Sequence, residues 1–237
     1  MTTTINSRVT PALHAENVKQ IEGYDDPDIA AVLAPTLNAF DEAYSGIGQV
    51  YEAREKAKTN PTWNEAQQII ATDDLAQKQF GRIAKIMDTT RANLEKGIAH
   101  LEQELSQPVT TRAAHPVASE IRTYVRGLGT TKLHSFIQSA IDNGDHDTVT
   151  AVLGAPAYLS GLTPEFQQTY LRFYHERNNP ATAKRLKAMQ GAKALIEERA
   201  GLVFKELEKA VGAPPHKAKA LREAKTAAEK AFVLKDA

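Results

Sequence analysis

The chain has 237 residues, 42% hydrophobic and 24% charged, which is enough to bury the core of one large or two small domains and too apolar for a disordered chain. Its 29 basic and 29 acidic side chains cancel, which excludes a general electrostatic attraction for nucleic acid or an anionic membrane. The absence of cysteine excludes disulfides, thiolate nucleophiles and cysteine-based zinc sites. Charge is graded along the chain: residues 1–120 carry 11 basic against 17 acidic side chains, residues 121–181 carry 5 against 5, and residues 182–237 carry 13 against 7. Such a gradient suits antiparallel folding or head-to-tail packing of copies. The first residues, MTTTINSRVTPALHAEN, contain no apolar run that could form a signal-peptide core, and the longest clear run is Ile29 to Ala34. No stretch approaches the roughly 18 apolar residues of a membrane span, so a soluble chain without a membrane anchor is expected.

Residues 1–25 read as an extended or mobile arm, with room for a short helical turn around Leu13 to Ile21. Asp26 before Pro27 is a cap followed by a proline at the first helical position, and it predicts a helix to about Lys58. Leu33, Leu37, Phe40, Tyr44, Ile47 and Tyr51 form its apolar stripe, and Pro35 should kink or restart it. Asn60 before Pro61 repeats the start signal for a helix reaching Leu105. Phe80, Met87, Leu94 and Leu101 lie seven apart on it, with Ile83, Ile98 and Leu105 beside them. A heptad held that long predicts a coiled-coil seam, and the short TNPTW turn predicts an antiparallel hairpin over residues 26–105 that pairs between copies.

Residues 106–118, SQPVTTRAAHPVA, read as a linker. Beyond it the rhythm shortens into a compact aromatic helical core over residues 119–176. Ser119 should cap a helix with Ile121, Tyr124, Val125 and Leu128 on one face and Gly129 as its stop; Thr130 or Thr131 should cap the next, with Leu133, Phe136, Ile137 and Ile141 inward; Asp145 should cap a third, where a strand is the competing reading for TVTAVL. LGAPAYLSGLT should be an irregular loop with Tyr158, Leu159 and Leu162 tucked in. Thr163 and Pro164 should open a helix facing inward through Phe166, Tyr170, Phe173 and Tyr174. Asn179 and Pro180 start a long helix to about Val211 with Leu186, Met189, Ile196, Val203 and Leu207 on one side; Gly191 and Gly201 within it mark either close helix approach or tolerated defects. After GAPPH, a last helix from Lys217 to Leu234 completes a basic helix-turn-helix end over residues 177–237.

The polar clusters resolve into caps and turns more readily than into chemistry. The seven histidines include no HExxH pair. DNGDHD, Asp142 to Asp147, puts its glycine out of register for a calcium loop and lacks the closing glutamate. RGLGTTK, Arg126 to Lys132, lacks the Gly-Lys-Ser/Thr ending of a phosphate loop. No nucleophile, base and orienting acid group together, so a non-enzymatic protein without a cofactor or metal is expected. A DNA-reading helix-turn-helix at residues 119–153 would present only Lys132, His134 and Gln138 outward.

Residues 153–186, LGAPAYLSGLTPEFQQTYLRFYHERNNPATAKRL, resemble a group of helical proteins encoded in tailed-bacteriophage genomes. The resemblance covers about a seventh of the chain and carries over no functional residue. It implies a virion or head-assembly component, located in the particle or in the host cytoplasm during assembly. The expectation is therefore an all-α structural or assembly protein: a coiled-coil-like hairpin, a compact bundle of short helices and a basic helix-turn-helix end. Its partners would be copies of itself through the seam Phe80, Ile83, Met87, Leu94, Ile98, Leu101 and Leu105, and other virion proteins or nucleic acid through Lys184, Arg185, Lys187, Lys217, Lys219, Arg222 and Lys225. The alternative is a nucleic-acid-associated protein using the same basic end.

Overall fold

The structure, a computed structural model, describes residues 6–232, so the predicted end of the last helix at Leu234 lies outside the described residues. Among those residues the regular secondary structure is entirely helical. The chain divides into two compact units, Met1–Glu95 with Ala188–Ala237, and Lys96–Lys187. Both divisions fall inside long helices, not at the linker expected at residues 106–118. No described helix is long and apolar enough to cross a membrane.

The first unit starts with an arm that is not extended. Two 3-10 turns, Pro11–Leu13 and Ala15–Gln20, bury Val9, Leu13 and Val18 completely or nearly so. Hydrogen bonds reinforce that burial: Tyr44 donates its hydroxyl to the Asn6 carbonyl and accepts from the Asn6 N–H, both at 2.9 Å. The Thr10 N–H donates to the Glu206 carboxylate at 3.1 Å, and Arg199 donates to the Ala12 carbonyl at 3.1 Å. The arm is thus a strap across the helices, held by residues far away in sequence.

Helix α1 (Pro27–Lys58) begins as its sequence predicts, with the Asp26 carboxylate accepting the Asp28 N–H. It runs unbroken through Pro35: Leu33 and Thr36 on either side are fully buried, so packing outweighs the missing backbone bond and no restart occurs. Helix α2 (Glu65–Glu104) begins later than Asn60 suggested. The Asn60 side chain accepts from the Thr62 N–H and hydroxyl, closing a local turn, and Asn64 supplies the cap by accepting the Gln67 N–H at 2.9 Å. The hairpin is antiparallel, since Glu42 pairs with Arg82 and Gln49 with Gln79. Gly46 lets the two helices close up, because a Cβ there would lie 3.1 Å from Gln79 Oε1 and 3.2 Å from Ile83 Cδ1.

Helix α7 (Pro180–Val211) matches its predicted bounds, and Leu186, Met189, Ile196, Val203 and Leu207 are all buried. Its two glycines answer differently: a Cβ at Gly191 would press on Ile21 at 3.3 Å, whereas at Gly201 it would meet open space. A turn with Gly212 at φ +70° leads to α8 (Pro215–Lys230).

The second unit packs α3 (His115–Gly127), α4 (Thr130–Asp142), α5 (His146–Leu153), a 3-10 turn at Ala157–Leu159 and α6 (Pro164–Asn178). Val125, Leu133, Ile137, Ile141, Val149, Val152, Tyr170 and Tyr174 are central to its core. Asp145 and Thr163 cap α5 and α6 as predicted, and TVTAVL is helical. Three expectations are corrected. Helix α3 starts at His115, with Pro116 in its first turn, so Ser119 lies inside it. Gly129, at φ +72°, occupies the position before α4, and no side chain caps that helix. The expected linker is docked: Val109 packs on the core, Thr111 donates to the Thr150 carbonyl at 3.2 Å, and the Arg112 N–H donates to Thr150 Oγ1 at 3.1 Å.

The inward aromatic face is also only half right. Tyr170, Leu171 and Tyr174 are buried on α6, while Phe166, Phe173, Tyr124 and Tyr158 are exposed. Tyr158 is turned outward because Ala157 and Leu162 fill the space beneath the loop. The loop's polar groups are met locally: Ser160 donates to the Val152 carbonyl, and Gln167 donates to the carbonyls of Leu153 and Ala155.

Candidate interaction surfaces

The heptad stripe of α2 is mostly an internal seam. Ile83, Met87, Leu94, Leu101 and Leu105 are buried within the chain itself and Ile98 is half-buried, so these residues present little apolar surface to another copy. Phe80 stands apart. It occupies the same stripe between Ala76 and Ile83, both buried, yet it remains 41% exposed. The cause is an unfilled gap between α2 and α7. Phe204, 53% exposed, meets Phe80 edge-to-face with centroids 5.9 Å apart, and the two rings border a cleft of about 370 Å³. Ala76, Leu207, Val211 and Ala213 form its apolar lining, with Asp73, Gln77 and Glu208 supplying the polar side chains. Pro215, the first residue of α8, also lines it.

Helix α8 is held at one end only. Lys217 Nζ reaches Glu65 at 3.0 Å, and Arg222 Nη2 reaches Asp73 at 2.5 Å and Asp74 at 2.6 Å, contacts that raise the guanidinium pKa above its ordinary value through hydrogen bonds first from Asp73 and then from Asp74. Ala218 is buried beneath this clamp. From Glu223 to Phe232 every position is exposed. Ala224 and Ala228 lie on this exposed half, following the half-buried Leu221 at three- and four-residue spacing, and the exposed Phe232 lies in the turn just past the helix.

The predicted basic residues are divided between the two units. Lys184, Arg185 and Lys187 are exposed on α7 in the second unit, while Lys217, Lys219, Arg222 and Lys225 belong to the first. The latter four all face carboxylates: Lys217 and Arg222 clamp α8, Lys219 lies 3.9 Å from Glu223, and Lys225 lies 3.8 Å from Glu229. Their field toward an outside phosphate is correspondingly reduced.

Phe204 was missed by pattern reading because it sits one position off the stripe that holds Val203 and Leu207. A large ring placed off the buried face of a helix is itself the signal that could have revealed it. In the second unit, Arg112, His146 and His175 come together around a polar cleft; they lie on three separate segments, and spacing along the chain carries no sign of their meeting. Comparison with family models, with curated proteins and with solved structures finds no match for this chain.

Proposed function

We propose that the protein is a non-enzymatic structural or assembly protein that works through helix-mediated contacts, with further copies of itself as the first partner. The observation that carries this reading is the Phe80–Phe204 cleft, an apolar stripe position left uncovered, on the unit whose α8 leads into exposed apolar residues. The occupant is the outer half of α8 from a second copy. Its Ala224 and Ala228, with Leu221 before them and Phe232 in the turn past the helix, are of a size to fill the cleft, and Lys225 and Lys230 would meet the rim carboxylate Glu208, which makes no ion pair among the described residues. Phe232, 87% exposed, does not occupy the cleft of its own chain.

The resemblance of residues 153–186 to helical proteins of tailed phages supports a place in a phage particle or its assembly, with other virion proteins as further partners and the virion or host cytoplasm as location. Sedimentation of the full chain and of Phe204→Glu tests the self-association. The wild type should sediment above the monomer at micromolar concentration and the variant as a monomer with unchanged helicity. A monomeric wild type would overturn this reading.

Lys184 and Arg185 keep a second reading in view, nucleic-acid association, because both are exposed and neither forms an ion pair among the described residues. Filter binding of duplex DNA at low salt should then be lost in a Lys184→Glu, Arg185→Glu double variant, and retention of binding would dismiss those two residues as the contact.

A further inference from the structure

The second unit contains a cleft of about 490 Å³ whose lining differs in kind from the aromatic one. One wall is the segment Val109 to Arg112, and the other comes from His146 and Thr150 on α5 with Tyr174, His175 and Asn178 on α6, closed by Asn179. No carboxylate lines it. Of the acids flanking His146 and His175, Asp145 accepts the Thr148 N–H, Glu176 pairs with Arg172, and Asp147 is exposed. Arg112, by contrast, lines the cleft, is exposed and makes no ion pair among the described residues.

The walls are fixed by hydrogen bonds that do not use up the donors. Thr150 Oγ1 accepts the Arg112 N–H and donates to the His146 carbonyl at 2.6 Å, so the guanidinium is left over. His146 uses Nδ1 toward the Tyr174 hydroxyl at 2.9 Å, which leaves its Nε2 edge. His175 Nε2 donates to the Gln107 carbonyl at 2.7 Å, anchoring the segment that carries Arg112. Asn178 and Asn179 each spend one amide hydrogen on a carbonyl, of Tyr174 and of His175, and keep a second. Asn178 ends α6, and Asn179 stands between it and α7.

From this convergence of a guanidinium, imidazole N–H and amide donors, with no carboxylate to compete, we infer that the cleft binds a phosphate dianion, and specifically a phosphomonoester. Arg112 supplies the fork for two phosphate oxygens, and His146 Nε2–H and the asparagine amides donate to the others. A bare phosphate would leave most of the volume empty, whereas roughly 300 Å³ upward suits a small organic ligand. Thr110, exposed on the rim, is placed to meet the ester substituent. The site is independent of the self-association reading, because its residues all belong to the second unit.

The test is an NMR titration of the full ¹⁵N-labelled chain, reading the imidazole nitrogens of His146 and His175 and the Arg112 amide. O-phosphoserine and inorganic phosphate are the probes, with chloride at matched ionic strength as the reference. Saturable shifts with phosphoserine are expected, weaker ones with inorganic phosphate, and none with chloride. Arg112→Ala should weaken binding about 10-fold, equivalent to about 1.4 kcal/mol. Arg112→Lys should retain part of the affinity. The Arg112 variants keep the backbone N–H that pins the wall, and unshifted core amides will confirm their fold. Saturable shifts with neither probe, or shifts unaltered in Arg112→Ala, would overturn the site; tighter binding of inorganic phosphate would overturn its assignment to a monoester.

Discussion

The first unit is built from long helices and a strap, the second from short helices and a docked segment, and they differ at their buried tyrosines. In the first, the strap's Asn6 meets Tyr44, whereas the Tyr51 ring is buried on α1 but its hydroxyl has no hydrogen-bond partner among the described residues. In the second, Tyr170 meets His134 Nδ1 at 2.7 Å and Tyr174 meets His146 Nδ1 at 2.9 Å, so each buried tyrosine of α6 is tied to another helix. Long helices set their own register over many turns and can tolerate a gap or an unmet group. Short helices gain less from regular stripes, and polar links between them fix how they pack.

The largest test of this contrast removes core volume. Phe40→Ala in the first unit should cost about 3–5 kcal/mol and Ile137→Ala in the second about 2–5 kcal/mol. The single tryptophan, Trp63, belongs to the first unit, so its fluorescence during urea denaturation should follow Phe40→Ala most strongly, while hydrogen exchange of α4 should follow Ile137→Ala. Equal responses of both probes to both variants would show that the two units unfold as one.

The tyrosines give a sharper, smaller difference. Tyr170→Phe should destabilise by about 0.5–1.5 kcal/mol because it leaves His134 without its partner, whereas Tyr51→Phe should be neutral or slightly stabilising because it deletes an unmet hydroxyl. Chemical denaturation at neutral pH measures both, and a clear loss in Tyr51→Phe would reveal a partner for that hydroxyl.

Alkaline pH extends the comparison. Burial raises the phenol pKa of both Tyr51 and Tyr170 above the ordinary value, so the unfolded chain ionises first. The stability linked to each is full below about pH 10 and is lost as pH rises through the folded-state value. Each Tyr→Phe variant should flatten that loss, and a melting profile above pH 10 identical to wild type would contradict it.

The smallest effect should come from the α8 clamp. Arg222→Ala removes partly exposed ion pairs to Asp73 and Asp74, for a loss of about 0.2–1 kcal/mol that shrinks as salt is added. A larger, salt-insensitive loss would mean that α8 is held by packing and not by charge.

Helix starts and stops were legible wherever a local cap decides them, as at Asp26, Asp145 and Thr163, because the signal and its partner lie within one turn. Asn60 and Pro61 carried the same signal but serve a turn, since Asn64 was a second acceptable cap a few residues on. The arm's short helical turn was legible, whereas its docking was not, because its anchors, Tyr44, Arg199 and Glu206, are distant in sequence. Phe80 was legible as a stripe position, but its exposure was not, because that depends on how far α7 stands from α2 at Phe204. The basic residues of α8 were legible as charge, whereas their carboxylate partners on α2 were visible only in three dimensions.

The central claim, that α8 of one copy fills the cleft of another, is open to a direct test because the chain has no cysteine of its own. Gln77→Cys places a thiol at the cleft, and Ala228→Cys places one on the exposed half of α8. Differently tagged copies carrying one substitution each are mixed at micromolar concentration and oxidised. A disulfide between the two tags, abolished by Phe204→Glu, is the predicted result; formation of no mixed disulfide, or of one that Phe204→Glu leaves unchanged, would contradict it.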